Sequence, residues 1–181
     1  MPDDDLHERV TSSDRVYEGR IISVRNDTVE LADGHRGERE VVEHAVVVAI
    51  VPLDADDNVV LVRQYRLPAE EVLLEVPAGR VDEGEDVEAG AQRELQEETG
   101  YRAGTLTRLA GFYVSPGYVT EFIHVFLATD LIEDPIDGDE DERIKVVRTP
   151  LAEALLLVET GEIKDGKSII GLLLGAKLLG S

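Results

Sequence analysis

The sequence predicts an α/β sandwich, a mixed sheet with helices against its faces, preceded by a small antiparallel β subdomain. Three observations lead to this class. Glu43 to Leu53, EHAVVVAIVPL, contains a continuous apolar run suited to a strand buried on both faces. Tyr17 to Gly34, YEGRIISVRNDTVELADG, has short apolar stretches closed by an Ala-Asp-Gly turn signal, the pattern of a hairpin or small sheet. The remaining chain reads as strands, one helix, more strands and two last helices, an irregular order that disfavours a doubly wound parallel sheet.

Residues 1–14 are polar enough to form a loose leader, and Glu38 to Val42 continues the N-terminal sheet in extended form. After the buried strand, the turn-rich DADDN at 54–58 leads into VVLVRQYR, a second strand, and Val72 to Val76 supplies a third. Pro77-Ala78-Gly79 ends that strand. A Gly- and Asp-rich loop then hands the chain to a helix from about Asp86 to Thr99, which Gly100 stops. LTRLAGFYVS and VTEFIHVFLATD read as two strands separated by a tight Ser115-Pro116-Gly117 turn. An acidic loop, Glu133 to Glu142, precedes the last strand, IKVVRT. Pro150 is placed to open a helix through Glu159, and Lys167 to Leu179 has apolar residues enough for a terminal helix packed on a sheet or partner.

A chain of 181 residues fits one ordinary domain with a small appendage. With 39 acidic against 18 basic residues the formal charge is −21, which opposes a non-specific grip on a nucleic-acid backbone or an anionic membrane. The absence of cysteine excludes disulfides, Cys-ligated zinc, iron–sulfur clusters and a thiol nucleophile. Arg outnumbers Lys 14 to 4, a bias that, with abundant Asp and Glu, resembles proteins of salt-accumulating halophiles. An ordinary acidic, solubilising surface explains the same composition. The opening MPDDDLHERV lacks the cationic and apolar parts of a secretory signal, and Ala45 to Leu53 is too short for a membrane span, so the expected location is the cytosol.

The chemistry concentrates in GRVDEGEDVEAGAQRELQEETGY, Gly79 to Tyr101. On a helix Glu94 and Glu98 share one face, Glu97 lies near its edge, and Val87, Ala91 and Leu95 form an adjoining apolar stripe. Carboxylates stacked in this way repel one another. A hard divalent cation such as Mg²⁺ would relieve the repulsion, take the oxygens in octahedral geometry and keep positions open for water and phosphate. A solvated acidic face steadied by an Arg93–Glu97 pair accounts for the spacing equally well, so spacing alone leaves both readings open.

The full run of Gly79, five residues, Glu85, seven residues, Arg93-Glu94-Leu95, one residue, Glu97-Glu98, one residue and Gly100 resembles the Nudix hydrolase box at every fixed position. Tyr101 departs from the aliphatic residue usual at its end. The resemblance implies a Nudix α/β/α sandwich and a loop-helix-loop cradle. In that cradle Glu94 and Glu98 bind Mg²⁺ or Mn²⁺, Glu97 assists, Glu85 and Arg93 brace the structure, and the Ala78 carbonyl is an extra ligand. The implied reaction is hydrolysis of a nucleoside diphosphate linked to another moiety, in which the cation neutralises the pyrophosphate and acidifies the attacking water. An acidic protein binds an acidic nucleotide on these terms because the cation inverts the local field.

Outside the box, LLEVPAG at 73–79, SPG with its Pro116, Glu121 before a strand, DEDERI at 139–144 and GEIKDGKSIIGLLL at 161–174 resemble the ADP-ribose pyrophosphatase branch. The similarity therefore covers most of residues 15–180. In that branch ADP-ribose is cleaved to AMP and ribose 5-phosphate, and a mobile acidic loop supplies the carboxylate that orients or deprotonates water. Glu142 matches the loop carboxylate near the metal, with Glu140 as rival or partner for the general base. Arg66 matches an arginine that contacts phosphate or ribose, Glu75, Pro116 and Gly117 fall at substrate-side positions, and Glu121 assists the metal or the terminal ribose. Each has a plainer reading as a solvated loop, surface ion pair, turn or strand edge. Arg39 and Glu43, in REVVEH, match residues contributed across a dimer interface, which implies a domain-swapped homodimer with composite sites. On this reading the chain divides into 1–42, a leader and dimerising β subdomain, and 43–181, the hydrolase domain.

Tyr17 and Tyr65 suit stacking on a base, but with only eight Phe and Tyr residues in the chain core or interface packing is the first expectation. His44 and His124 form no evident catalytic pair, and Ser115 and Ser168 have no readable triad. Ala45-Val46-Val47 and Tyr118-Val119-Thr120 replace Pro-Gly-containing and more polar versions common in the branch, which loosens the sugar assignment. The expected function is metal-dependent hydrolysis of ADP-ribose, with other ADP-sugars as secondary substrates. Another nucleoside diphosphate sugar such as GDP-mannose, or a dinucleotide, is the alternative. A catalytically inactive nucleotide-sensing module is a third, opposed by the intact carboxylates.

Overall fold

The computed structural model describes residues 4–138 and 143–180. In chain order the elements are β1 (Arg9–Glu18), β2 (Ile22–Glu30), β3 (Arg36–His44), β4 (Val47–Pro52), β5 (Asn58–Arg66), β6 (Glu71–Glu75), β7 (Ala78–Arg80), α1 (Val87–Thr99), β8 (Tyr101–Tyr113), β9 (Phe122–Glu133), β10 (Ile144–Pro150), α2 (Leu151–Glu159) and α3 (Gly166–Leu179). They fall into two compact units: the chain up to Ala45 with Tyr113–Phe122, and Val46–Phe112 with the chain from Ile123 onward.

The first unit is built on an antiparallel sheet in the order β1-β2-β3. Here the expected loose leader is corrected, because residues 9–14 belong to β1. Val10, Thr11 and Val16 are β-branched and favour extended backbone, and the strand pairs with β2 from Arg9↔Glu30 to Glu18↔Ser23 with two register shifts. All ten of its positions are exposed, so no apolar face announced it in the sequence. The Ala-Asp-Gly turn is found where expected: Gly34 takes φ 85° and its N–H donates to the Leu31 carbonyl at 2.9 Å. Tyr113–Phe122 joins this unit through the edge of β3. The Val42 N–H donates to Tyr118 O at 2.7 Å, and the Thr120 N–H donates to Val42 O at 2.9 Å.

The second unit holds two sheets, β7-β4-β9-β8 and β10-β5-β6. The first is mixed, with β4 parallel to β9 and antiparallel to β7. Pro77-Ala78-Gly79 was expected only to end a strand; instead Ala78–Arg80 is itself a strand, from Val47↔Arg80 to Ala49↔Ala78. Pro77 cannot donate to a ladder, so β6 stops, and the chain crosses to β4, where the Ile50 N–H donates to Pro77 O at 2.9 Å. β8 starts at Tyr101, directly after the helix and earlier than the sequence indicated.

Every residue of β4 is buried, and its alternation sends Val47 to Val51 in turn to one of two cores. Val47, Ala49 and Val51, with Ile123, Val125 and Leu127 of β9, pack with Leu151, Ala154, Leu172 and Ala176 of α2 and α3. Val48 and Ile50, with Phe126 and Ala128, pack instead with Ala91 and Leu95 of α1. Each fully buried Val or Ile stabilises the fold by about 1.5–3 kcal/mol. The sandwich is thus helix, mixed sheet, helices, as the continuous apolar run predicted.

The helix starts are set by side chains. Asp86 accepts from the N–H groups of Glu88 and Ala89, and Asp165 accepts from the Ser168 N–H. Gly100, at φ 78°, closes α1 as expected. Among the described residues no helix is long and apolar enough to cross a membrane.

α3 approaches the sheet closely because position 171 lacks a side chain: a Cβ there would lie 2.9 Å from Val51 Cγ2 and 3.3 Å from Val125 Cγ1. Gly171→Val is therefore expected to overpack this contact and lower stability by about 2 kcal/mol, a fall of about 4–8 °C in melting temperature by thermal denaturation.

Candidate active site

The second unit gathers the acidic helix, the short strand β7 and the end of β5. Ala91 and Leu95 are fully buried and Val87 packs beside them, which leaves Glu94 and Glu98 next to that stripe and Arg93 and Glu97 further round α1. Arg93 is the centre of this group. Its Nε and Nη2 donate to the two oxygens of Glu85, both at 2.9 Å, and Nη2 also donates to the Arg80 carbonyl at 2.9 Å. Its Nη1 donates to Glu94 at 2.7 Å and to Glu97 at 3.0 Å. The hydrogen bonds from Arg93 hold the Glu85 carboxyl down at a pKa of about 2, aided by the Asp82 N–H, and the same carboxylates push the guanidinium pKa up.

Glu98 is only 8% exposed and accepts from the Ala78 N–H at 3.1 Å, which ties the last turn of α1 to β7. Gly79 lies against the Glu94 carboxylate so closely that a Cβ would fall inside it. The donor set is all oxygen, and the bare glycine makes room for the Glu94 carboxylate against β7, which fits a hard divalent cation. Among the described residues no three His, Asp or Glu side chains already stand in a ready-made metal geometry, and Arg93 holds Glu94 and Glu97 together. Gly138 packs on α1, where a Cβ would lie 3.3 Å from Glu97 O. Glu140 and Glu142 lie outside the described residues.

Arg66, at the end of β5, grips Glu75 with both arms of its fork, Nε to Oε1 and Nη2 to Oε2, each at 2.8 Å. Glu75 is 1% exposed, and burial alone would raise its pKa; its bonds to Arg66 and the nearby Lys167 outweigh that and hold it below the ordinary carboxylate value. Bonding to Glu75 outweighs burial and raises the Arg66 pKa, with Glu98 also within electrostatic reach. No motif marks Lys167, whose Nζ reaches Glu75 at 2.5 Å and Asp165 at 3.0 Å. Ninety-two residues separate Lys167 from Glu75, so no local spacing pointed to the pair. Asp165 accepts from the Ser168 N–H at 3.0 Å, and Ser168 Oγ accepts from the Val76 N–H at 2.8 Å.

Of the remaining candidates, Arg39, Glu43, Pro116, Gly117 and Glu121 belong to the first unit. Arg39 pairs with Glu8, and Glu43 with Arg15 at 2.8 Å and Arg25 at 3.1 Å. Pro116 and Gly117 form the turn closed by Tyr118 and Val119 N–H groups on Ser115 O, at 3.2 and 3.0 Å, and Glu121 is half-buried with its carbonyl accepting from Val114. Tyr17 and Tyr65 are exposed, so neither serves the core of this chain. His44 Nδ1 contacts Ala45 O at 2.7 Å, and His124 contacts Arg108 at 2.8 Å, with burial and that cation lowering the His124 pKa.

A model described as the NUDIX domain matches residues 43–170, and one described as the nucleoside diphosphate sugar hydrolase N-terminal domain matches residues 8–42. The ADP-ribose pyrophosphatase of Bacillus subtilis is 39% identical over 165 residues, covering 90% of this chain and 89% of the relative. A GDP-mannose pyrophosphatase of Citrobacter koseri is 36% identical over 171 residues, covering 87% and 89%. The crystal structure of an ADP compounds hydrolase superposes with a TM-score of 0.86 at 30% identity, covering 96% of this chain and 94% of that one.

The Arg93–Glu85 bond sets an acid limit. A carboxylate held at about 2 contributes stability above its unfolded value near 4.5 and loses it as pH falls through 2. Glu85→Gln is expected to cost about 1–3 kcal/mol near neutral pH, with the gap to wild type closing as denaturation is followed from pH 5 down to 2.

Proposed function

Because the chain belongs to the Nudix family, we propose that it hydrolyses ADP-ribose to AMP and ribose 5-phosphate, with other ADP-sugars as slower substrates. The observation that carries this reading is the Arg93-centred array, which brings Glu85, Glu94 and Glu97 to one guanidinium beside Gly79. The name of the 39% identical relative supports the choice of sugar.

Glu94 and Glu98, with the Ala78 carbonyl, would hold Mg²⁺ or Mn²⁺, which would supply positive charge to offset that of the pyrophosphate and to acidify water. Arg93 and Glu85 keep α1 fixed against β7, so the carboxylates stay placed while substrate binds, and Glu97 assists from the edge of the face. Arg66 meets the phosphates or adjacent ribose, its position set by Glu75. Glu142 and Glu140 orient or deprotonate the water. Pro116, Gly117 and Glu121 contact the substrate side, and Arg39 and Glu43 act from a second copy of the chain on the adenosine half. The wholly exposed β1, with Val10, Val16 and Tyr17 each at least half exposed, supports a homodimer. A soluble cytoplasmic setting, and for a surface of charge −21 a salty one, completes the reading.

GDP-mannose is the second reading, favoured by the 36% identical relative of that name. A panel of ADP-ribose, ADP-glucose, GDP-mannose and dinucleotides, assayed with Mg²⁺ and Mn²⁺ at low and multimolar salt, separates the two. Release of AMP and ribose 5-phosphate is expected to be fastest, and preferential turnover of GDP-mannose would overturn the lead assignment. Glu98→Gln is expected to lower kcat by about 10²-fold or more in the same assay, through lost charge at the cation. Wild-type turnover in that variant would remove Glu98 from the site.

A further inference from the structure

We infer that Lys167, at the start of α3, is a positioning residue for substrate phosphate, acting on Arg66 through the buried carboxylate of Glu75. This rests on the reading that Arg66 meets the phosphates. Three N–H donors converge on Glu75: Arg66 Nε on one oxygen, and Arg66 Nη2 and Lys167 Nζ together on the other. The Lys167 side chain is only 11% exposed and the Glu75 side chain 1%, whereas the Arg66 side chain is 37% exposed. The carboxylate therefore has a buried lysine behind it and a half-open arginine in front. With Nε and Nη2 committed to Glu75, the fork has one orientation, and its second amino group is the part left to reach a ligand.

Charge makes the lysine more than a brace. Glu75, Asp165 and Glu98 all act electrostatically on Arg66. Lys167 touches two of them, Glu75 at 2.5 Å and Asp165 at 3.0 Å. With Lys167 present, Arg66 and Lys167 balance Glu75 and Asp165. Without it two carboxylates oppose one guanidinium, and a net negative charge stands directly behind the group that must receive a polyanion. Geometry points the same way. Asp165 caps α3 and accepts from Ser168, whose hydroxyl accepts from the Val76 N–H, so the first turn of α3 is bolted to the segment that leads from Glu75 to Ala78.

A lysine that only compensated a buried carboxylate would change stability and leave substrate affinity alone, so the test reads KM against kcat. It uses the full chain with Mg²⁺ and whichever of ADP-ribose and GDP-mannose is turned over faster. Lys167→Met is expected to raise KM about tenfold with kcat changed less than about threefold. The same substitution in a Glu75→Gln background is expected to have little further effect on KM, because the carboxylate charge through which Lys167 acts is gone. Lys167→Gln, which keeps a hydrogen-bond donor but no charge, gives the same reading should the methionine variant not fold. An unchanged KM in folded Lys167 variants, or an equal rise with and without the Glu75 charge, would overturn the inference. Arg66→Ala separates the two levels. A raised KM there with an unaffected Lys167 variant rejects the lysine's role alone, whereas an unchanged KM rejects the phosphate role of Arg66 and with it the inference.

Discussion

The guanidinium of Arg93 donates to three carboxylates and one backbone carbonyl, and the whole acidic end of the molecule is organised by those bonds. Glu85, Glu94 and Glu97 sit within thirteen residues of sequence, and carboxylates gathered this closely repel one another unless a cation stands between them. One planar cation with five donors resolves this, because its fork matches carboxylate geometry and a lysine would offer only a point charge. The bond to Arg80 O then fixes β7 in the same assembly. The site exists as a surface because a single residue of the helix binds the loop before it and the strand before that.

The electrostatics of the chain work at two scales. Its net charge of −21 sets a long-range field hostile to phosphates, yet two arginines and one lysine are drawn into tight clusters with five of the nearby carboxylates. Local potential is decided by those few partners, since fields from distant exposed charges are screened over about 10 Å. Composition thus describes the surface in bulk and says little about the ground around α1 and α3.

Much of the sandwich was legible because it rests on periodicity. The unbroken apolar run VVAIVP and the helical spacing of Val87, Ala91 and Leu95 encode burial directly, and Asp86 and Gly100 mark the helix ends by local chemistry. β1 was missed because a strand exposed at every position carries no such pattern, and β7 because three residues after a proline are too few to show one. In the site, the Glu and Arg positions on α1 were readable from a motif that lies within one element and its loop. The Glu75–Lys167 contact was not, because pairing across sheet and helix depends on the tertiary path and leaves no trace in neighbouring residues. What a reader of the sequence sees is chemistry held within a turn or two of helix.

The parallel pairing of β4 with β9 has a consequence for the order of assembly. Val47 finds its partner at Ile123, so neither core can close until the chain has been made beyond Ala128. During synthesis VVAIVP, apolar on both faces, must wait with the edge that receives β9 unpaired, and such a segment is a site for wrong association between nascent chains. The acidic residues on either side of it, Glu40 and Glu43 before and Asp54, Asp56 and Asp57 after, flank the waiting strand with like charge that keeps two copies apart. Part of the negative charge of this protein therefore serves the unfinished chain, before any substrate or cation is met.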